Sequence, residues 1–361
     1  MQASIPLLTS YARPALIVIC GMLLFNLPTL IYKSQMFLRG VAYILLCNDK
    51  SWKKPDDPSL VVGPLLEDSS KIERKTVYFV RHGESTWNDT FNKGSHRSWF
   101  TFILGWYPGL IKAVLYELYL FLAGKLDSWF YDAPLSNLGI RQAEDLSKFL
   151  NEQQPPKEQS SFGDREKFHL SVLTAQPGSP PSKLVCSNLR RAISTVAAAF
   201  QDRLSRRPQE KILIIPVLQE ISRNPDALSL TPAHAQIHAS WMEKTSTVCD
   251  FQNIFTNQVD MSLHSGNKPI GTNGLKRMNL FCDFLFSPSV TEDYVIVGGH
   301  SLWFRSFFQT FLPYTTIHAS QKKKIVNGGV VAFEFVKANT KYGPRYMIDP
   351  KSIDVVYGGF H

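Results

Sequence analysis

In Val77-Tyr78-Phe79-Val80-Arg81-His82-Gly83-Glu84-Ser85-Thr86-Trp87-Asn88, a run of β-branched and aromatic residues meets an Arg-His pair and then a glycine. Such a run, bounded by Gly, predicts a buried strand. The pair is then delivered at the C-terminal end of that strand, the rim where open α/β sheets bind ligands. A histidine beside an arginine suits phosphoryl chemistry there. The imidazole is a nucleophile, and the guanidinium forks two phosphate oxygens. A strand end with a solvated Arg and a satisfied His would share the dipeptide, so the rest of the chain has to decide.

Three further strand ends bear on that. Ser187-Asn188-Leu189-Arg190-Arg191-Ala192 follows the strand-like Leu184-Val185-Cys186 and opens a helical stretch toward Phe200. Leu218-Gln219-Glu220 follows the apolar run Ile212 to Val217, and Gly298-Gly299-His300-Ser301 follows Tyr294-Val295-Ile296-Val297. Four strand ends thus carry Arg-His, Arg, Glu and His in order. The set resembles the histidine phosphatase superfamily, phosphoglycerate-mutase-like branch, over roughly residues 75 to 340. Arg81 to Ser85 matches its signature, Ser187-x-Leu189-x-Arg191-Ala192 its second arginine motif, and Gly299-His300-Ser301 its second histidine. The expected fold is a three-layer α/β/α sandwich with a mostly parallel sheet.

The chemistry assigns roles, and the resemblance implies the same ones. His82 attacks phosphorus and becomes a phosphohistidine. Arg81, Arg191 and His300 neutralise the equatorial oxygens. Glu220 protonates the leaving oxygen and then takes a proton from water; an ordinary surface Glu opening a loop is its alternative. Asn88, Ser187 and Ser301 are expected to hydrogen-bond the phosphoryl group. Arg190 is expected on a solvated or salt-bridged face. No metal and no cofactor is needed, since arginines and histidines supply the positive field.

With 361 residues and 44% hydrophobic content, the chain is long enough for one large or two ordinary domains. Its net charge of +9 suits anionic substrates or an anionic membrane surface. No aromatic-interleaved basic stripe points to nucleic acid. Cysteines 20, 47, 186, 249 and 282 form neither a disulfide framework nor a metal spacing.

Ala15 to Tyr32 is apolar apart from Asn26 and Thr29, about 18 residues and just long enough to span a bilayer. A cleaved signal peptide and a buried soluble helix are the rivals. Lys33, Arg39, Lys50, Lys53 and Lys54 follow the run, so the positive-inside rule puts the catalytic part on the cytosolic side. The expected organisation is a membrane anchor region at 1–47, a polar linker at 48–75 and a catalytic domain at 76–361, without internal repeats.

A departure from the family pattern follows the signature. The segment Asp132-Ala133-Pro134-Leu135-Ser136-Asn137-Leu138-Gly139-Ile140-Arg141-Gln142-Ala143, which the resemblance places shortly behind it, comes only after an apolar insert at 89–131. Trp99, Phe100, Trp106 and Tyr107 precede Leu110 to Leu126, with Pro108-Gly109 between. Two short interfacial helices are expected, forming a membrane-dipping hairpin beside the pocket. A packed helical pair or a dimer interface is the alternative.

Elsewhere, helices are expected at Ser136–Gln153, Asn273–Ser287 and Leu302–Leu312, and strands at Val330–Val336 and within Tyr346–Val356. Gln154 to Ser182 reads as a loop and 222–272 as a substrate-selecting cap. His234, His238 and His264 read as surface histidines rather than a metal site. Lys322-Lys323-Lys324 reads as a solvated face, with contact to anionic lipid as the alternative. Taken together, the chain reads as a membrane-associated phosphatase acting on a phosphorylated small molecule, lipid or protein, with oligomerisation open. A mutase-like phosphotransferase and a non-catalytic membrane scaffold are the alternatives.

Overall fold

The computed structural model describes residues 14, 17, 20–21, 25–66, 68, 70–94, 97–152 and 163–361. Its strands are β1 (Ile72–Arg81), β2 (Ser182–Cys186), β3 (Ile212–Ile214), β4 (Val259–Asp260), β5 (Tyr294–Gly299), β6 (Val330–Thr340), β7 (Gly343–Ile348) and β8 (Asp354–Tyr357). They form one sheet in the order β4-β3-β2-β5-β1-β6-β7, with β8 also paired to β6. The pairs among β1 to β5 are parallel, whereas β6 runs antiparallel to β1, β7 and β8. The sheet is therefore mixed, more so than the sequence suggests. Part of the reason is local: the hairpin at 340–343 returns the chain along β6 without a crossover helix, and β8 continues in the direction of β7 along the same strand.

Alternation along β1 makes the layers. Tyr78 and Val80 face one apolar cluster with Ala143, Leu146, Ile193 and Val196. Val77 and Phe79 face the other, with Met278, Phe281, Trp303 and Phe304. Those partners belong to the helices Asn137–Glu152 and Arg190–Ala199 on one face, and Gly274–Leu285 and Ser301–Phe311 on the other. The expected loop at 154–182 contains a helix, Asp164–Leu173, in its described part; residues 153–162 lie outside the described residues.

The insert does not separate the signature from its follower. Ser85 bridges to Leu135, and Ser136 N–H donates to the Glu84 carbonyl at 2.8 Å. A Cβ on Gly83 would meet the Gly139 carbonyl oxygen at 2.4 Å, so both glycines let the two backbones touch. Within the insert, one helix, Trp99–Leu122, replaces the expected pair, with Pro108 inside it. Proline lacks the N–H that would serve the carbonyl four residues back, yet the helix continues through it.

The expected membrane span is also redrawn. Residues 15–16, 18–19 and 22–24 lie outside the described ones. From Leu27 the chain is a helix to Leu46 that packs on the domain. Asn26 and Thr29 donate to the Leu122 and Gly124 carbonyls, and Lys33 pairs with Glu117 at 3.0 Å. Among the described residues, no helix is long and apolar enough to cross a membrane. Of residues 48–75, expected as a linker, the described ones fold onto the domain at several points. Asp49 is fully buried, and Val62 packs against Val336, Ala338 and Met347.

Phe79 anchors the second cluster. It stacks on Phe304 at 4.1 Å and meets Trp303, Phe307, Phe308 and Phe333 edge-on. Phe79→Ala is expected to lower stability by about 3–5 kcal/mol. Urea unfolding of the full chain measures it. A loss below about 1 kcal/mol would mean that the aromatic cluster closes over the gap.

Candidate active site

Backbone pairing brings the strand ends level. Arg81 is in register with Gly299, and His82 N–H donates to the Gly299 carbonyl at 3.1 Å. On the other side of β5, Ser187 N–H donates to the Gly298 carbonyl at 3.0 Å. The residues just past β1, β5 and β2 therefore meet. The His82 and His300 rings lie 5.0 Å apart between centroids. A cavity of about 510 Å³ opens on this rim, lined among others by Arg81, His82, Asn88, Arg191, Glu220 and Ser301.

The His82 ring is buried, and its Nδ1 lies 2.5 Å from the Gly83 carbonyl oxygen. A carbonyl only accepts, so Nδ1 carries the proton and Nε2 keeps its lone pair. Burial, then Arg191 and Arg81, push this imidazole well below its ordinary value. His300 is pushed down in the same way, by burial first and then by Arg191 and His82. The Arg81 guanidinium is lowered to about 10 by burial, with Glu220 opposing; it stays charged near neutrality.

Each sequence-derived candidate has a definite place. Arg81 donates from Nη1 to the Ile325 carbonyl. Arg191 donates to the Asp226 carbonyl at 2.7 Å and lies 3.2 Å from the Asp226 carboxylate. Glu220 accepts N–H groups from Ile221 at 2.9 Å and Trp303 at 3.0 Å. Its carboxyl group therefore sits at the N-terminus of the helix Ser301–Phe311. Asn88 and Ser301 line the cavity. Ser187 is fully buried, and its hydroxyl lies 2.8 Å from His300 Nε2. That contact orients the imidazole. Arg190 is salt-bridged but not solvated: it is buried, 2.7 Å from Asp127, and bonded to the Asp132 carbonyl.

Other residues also line the cavity, several of them with no signal in the sequence. Asp226 adds a buried carboxyl, pushed up by burial against the opposing pull of Arg191. Asn224 and Asn327 come from two distant loops, and Trp87 and Gln142, within motifs quoted above, from two helices. Lys324 lines the cavity and is half-buried, unlike its exposed neighbours Lys322 and Lys323. The solvated reading of that triplet therefore fails at its last residue, because Lys324 pairs backbone to backbone with the terminal His361 at the rim. The Arg81 Nε, Arg191 Nε and His300 Nδ1 atoms are buried without a protein partner among the described residues. Of the three expected surface histidines, His264 is buried. No His, Cys, Asp and Glu cluster among the described residues could hold a metal ion.

No family model matches the chain, and no curated protein matches it. Solved structures do. A mycobacterial glucosyl-3-phosphoglycerate phosphatase in complex with VO3 is 14% identical, at a TM-score of 0.33, over 76% of this chain and 97% of its own. The ecdysone phosphate phosphatase from Bombix mori in complex with tungstate is 15% identical, at a TM-score of 0.34, over 76% and 93%. Overlaps this loose carry no argument about residues, so the reading rests on this chain's own geometry.

The two depressed imidazoles make stability pH-dependent. Above about pH 6.5, histidine is neutral in both the folded and unfolded chain. Below it, the unfolded chain takes up protons that the buried rings refuse. Stability is therefore lost as the pH falls from about 6.5 toward the folded values. His82→Gln/His300→Gln should flatten that acid slope. Urea midpoints between about pH 8 and pH 5 measure it, and parallel curves for the two proteins would contradict neutral buried rings.

Proposed function

We propose that the chain is a phosphomonoesterase working through a phosphohistidine, held at a membrane surface. The observation that supports it is the single cavity in which the free Nε2 of His82 faces a field from Arg81 and Arg191, with the Glu220 carboxylate beside it.

The chemistry balances with these residues alone. His82 Nε2 attacks phosphorus as the bond to the leaving oxygen breaks. The carboxylic acid form of Glu220 gives that oxygen its proton. Arg81, Arg191 and His300 offset the charge spreading over the equatorial oxygens. Glu220, now a carboxylate, takes a proton from water as the water oxygen bonds to phosphorus and the P–N bond breaks. Inorganic phosphate leaves and His82 is neutral again. Hydrolysis needs only water, whereas a mutase would have to retain a bisphosphate, so a phosphatase is the simpler reading.

The membrane part rests on a different feature. The helices Leu27–Leu46 and Trp99–Leu122 pack together and leave Phe37, Leu38, Leu45, Trp99, Phe100, Ile103, Leu104 and Leu115 exposed. Single exposed apolar residues are ordinary, but a patch this dense needs a cover. A bilayer interface suits a helix with aromatics near one end. The cavity residues Trp87, Asn88 and Asn92 lie within and just past the short helix Thr86–Phe91, which packs against Trp99–Leu122. A phosphate presented from the bilayer would thus arrive close to the cavity. Its lining suits a small phosphorylated headgroup, and the catalytic part is assigned to the cytosolic side. Trp129 has no part in this, since it is buried against Tyr116 and Trp241.

Two measurements test these readings. Wild-type protein incubated with substrate should carry acid-labile, base-stable phosphate. His82→Ala should carry none and lose turnover, and Arg191→Met should lose about 10²–10³ in kcat. Label that survives His82→Ala sinks the mechanism. Separately, brominated acyl chains in vesicles should quench tryptophan fluorescence of the full chain, and Trp99→Phe/Trp106→Phe should remove most of that quenching. A chain that neither floats with vesicles nor is quenched has another partner on that face.

A further inference from the structure

Asp49 lies three residues past the helix Leu27–Leu46, in a stretch that composition marks as linker, yet it is fully buried. Both of its carboxylate oxygens are engaged. Oδ1 accepts from Arg277 Nη2 at 2.6 Å. Oδ2 accepts from Lys268 Nζ at 2.5 Å and from the Ser222 backbone N–H at 3.1 Å. The Asp49 carbonyl accepts the Gly274 N–H at 3.0 Å. Lys268 and Arg277 are themselves almost wholly buried.

The two cations hold the segment that carries Glu220. Lys268 Nζ donates to the carbonyls of Glu220 and Ser222. Arg277 Nη1 donates to those of Val217 and Gln219. Four carbonyls across six residues are thus bound by two buried charges, and Asp49 supplies the carboxylate between them. Without it, two like charges would face each other in a low-dielectric interior with no counter-ion.

Resting on the phosphatase reading above, we propose that Asp49 is a positioning residue for the acid Glu220. The chain ahead of β1 is then part of the catalytic apparatus. Proton delivery to a leaving oxygen tolerates little displacement, so a loosened 217–222 segment would cost the acid step first. A simple staple would instead lower all activity alike.

Leaving groups separate the two. p-Nitrophenolate departs with little need of a proton, whereas an alkoxide needs one. In the full chain, Asp49→Asn should lower kcat/KM on β-glycerophosphate by about 10² and on p-nitrophenyl phosphate by no more than about a tenth of that factor. Glu220→Gln should show the same contrast. The double variant Asp49→Asn/Glu220→Gln should lose no more than Glu220→Gln alone. Equal losses on both esters, or fully additive losses in the double variant, overturn the proposal. Should Asp49→Asn fail to fold, Asp49→Asn/Lys268→Met removes one charge of each sign and is read in the same way. If neither folds, Asp49 is a folding element and the proposal is wrong. A wild type that hydrolyses neither ester overturns the phosphatase reading and this one together. An active wild type with a uniform loss in Asp49→Asn overturns this one alone.

Discussion

Parallel strands that end level are the constraint on which the site depends. The hydrogen bonds from His82 N–H to Gly299 and from Ser187 N–H to Gly298 set β1, β5 and β2 side by side. One-residue slippage would turn each side chain to the other face of the sheet. The pairing is protected by apolar packing on both faces, with Tyr78 and Val80 below and Val77 and Phe79 above. Register, rather than any contact between the catalytic groups themselves, is what assembles them.

Assembling them has an electrostatic cost. Arg81, Arg191, His82 and His300 are gathered within a buried rim, and burial first, then the neighbouring positive charges, lowers both histidines. The fold answers with backbone carbonyls and carboxylates. Ile325 and Asp226 offer carbonyls to the two arginines, Asp226 also offers its carboxyl, and Glu220 is held on a helix N-terminus. Under the proposed mechanism the neutral rings serve the chemistry, because an unprotonated Nε2 would be the nucleophile.

Behind this rim lies a second ionic layer, Asp49 with Lys268 and Arg277. It ties the end of the N-terminal helix to the loop bearing Glu220. The same helix is tied to Trp99–Leu122 by the Lys33–Glu117 pair, and Asn26 just ahead of it donates to the Leu122 carbonyl. Catalytic loop and apolar surface are therefore mechanically continuous through a few residues, Tyr43 among them, whose hydroxyl donates to the Lys268 carbonyl.

The chain by itself determined the strands and their chemistry. β1, β2, β3 and β5 are legible because buried parallel strands are short unbroken apolar runs; Arg81 ends β1 with His82 next to it, His300 follows β5, and Arg191 and Glu220 come a few residues past β2 and β3. The helix Asn137–Glu152 is legible for a similar reason, its apolar positions recurring at helical spacing. What tertiary structure decided lies far apart along the chain. Asp226, Lys324 and Asn327 reach the cavity from loops whose local composition is ordinary, and Asp49 meets partners more than two hundred residues away. The single insert helix, which runs through Pro108-Gly109, and the antiparallel β6 to β8 edge were likewise not legible. Short-range patterns record which residues prefer burial; which distant charges meet is fixed only when the sheet closes and a buried ion must find its counter-ion.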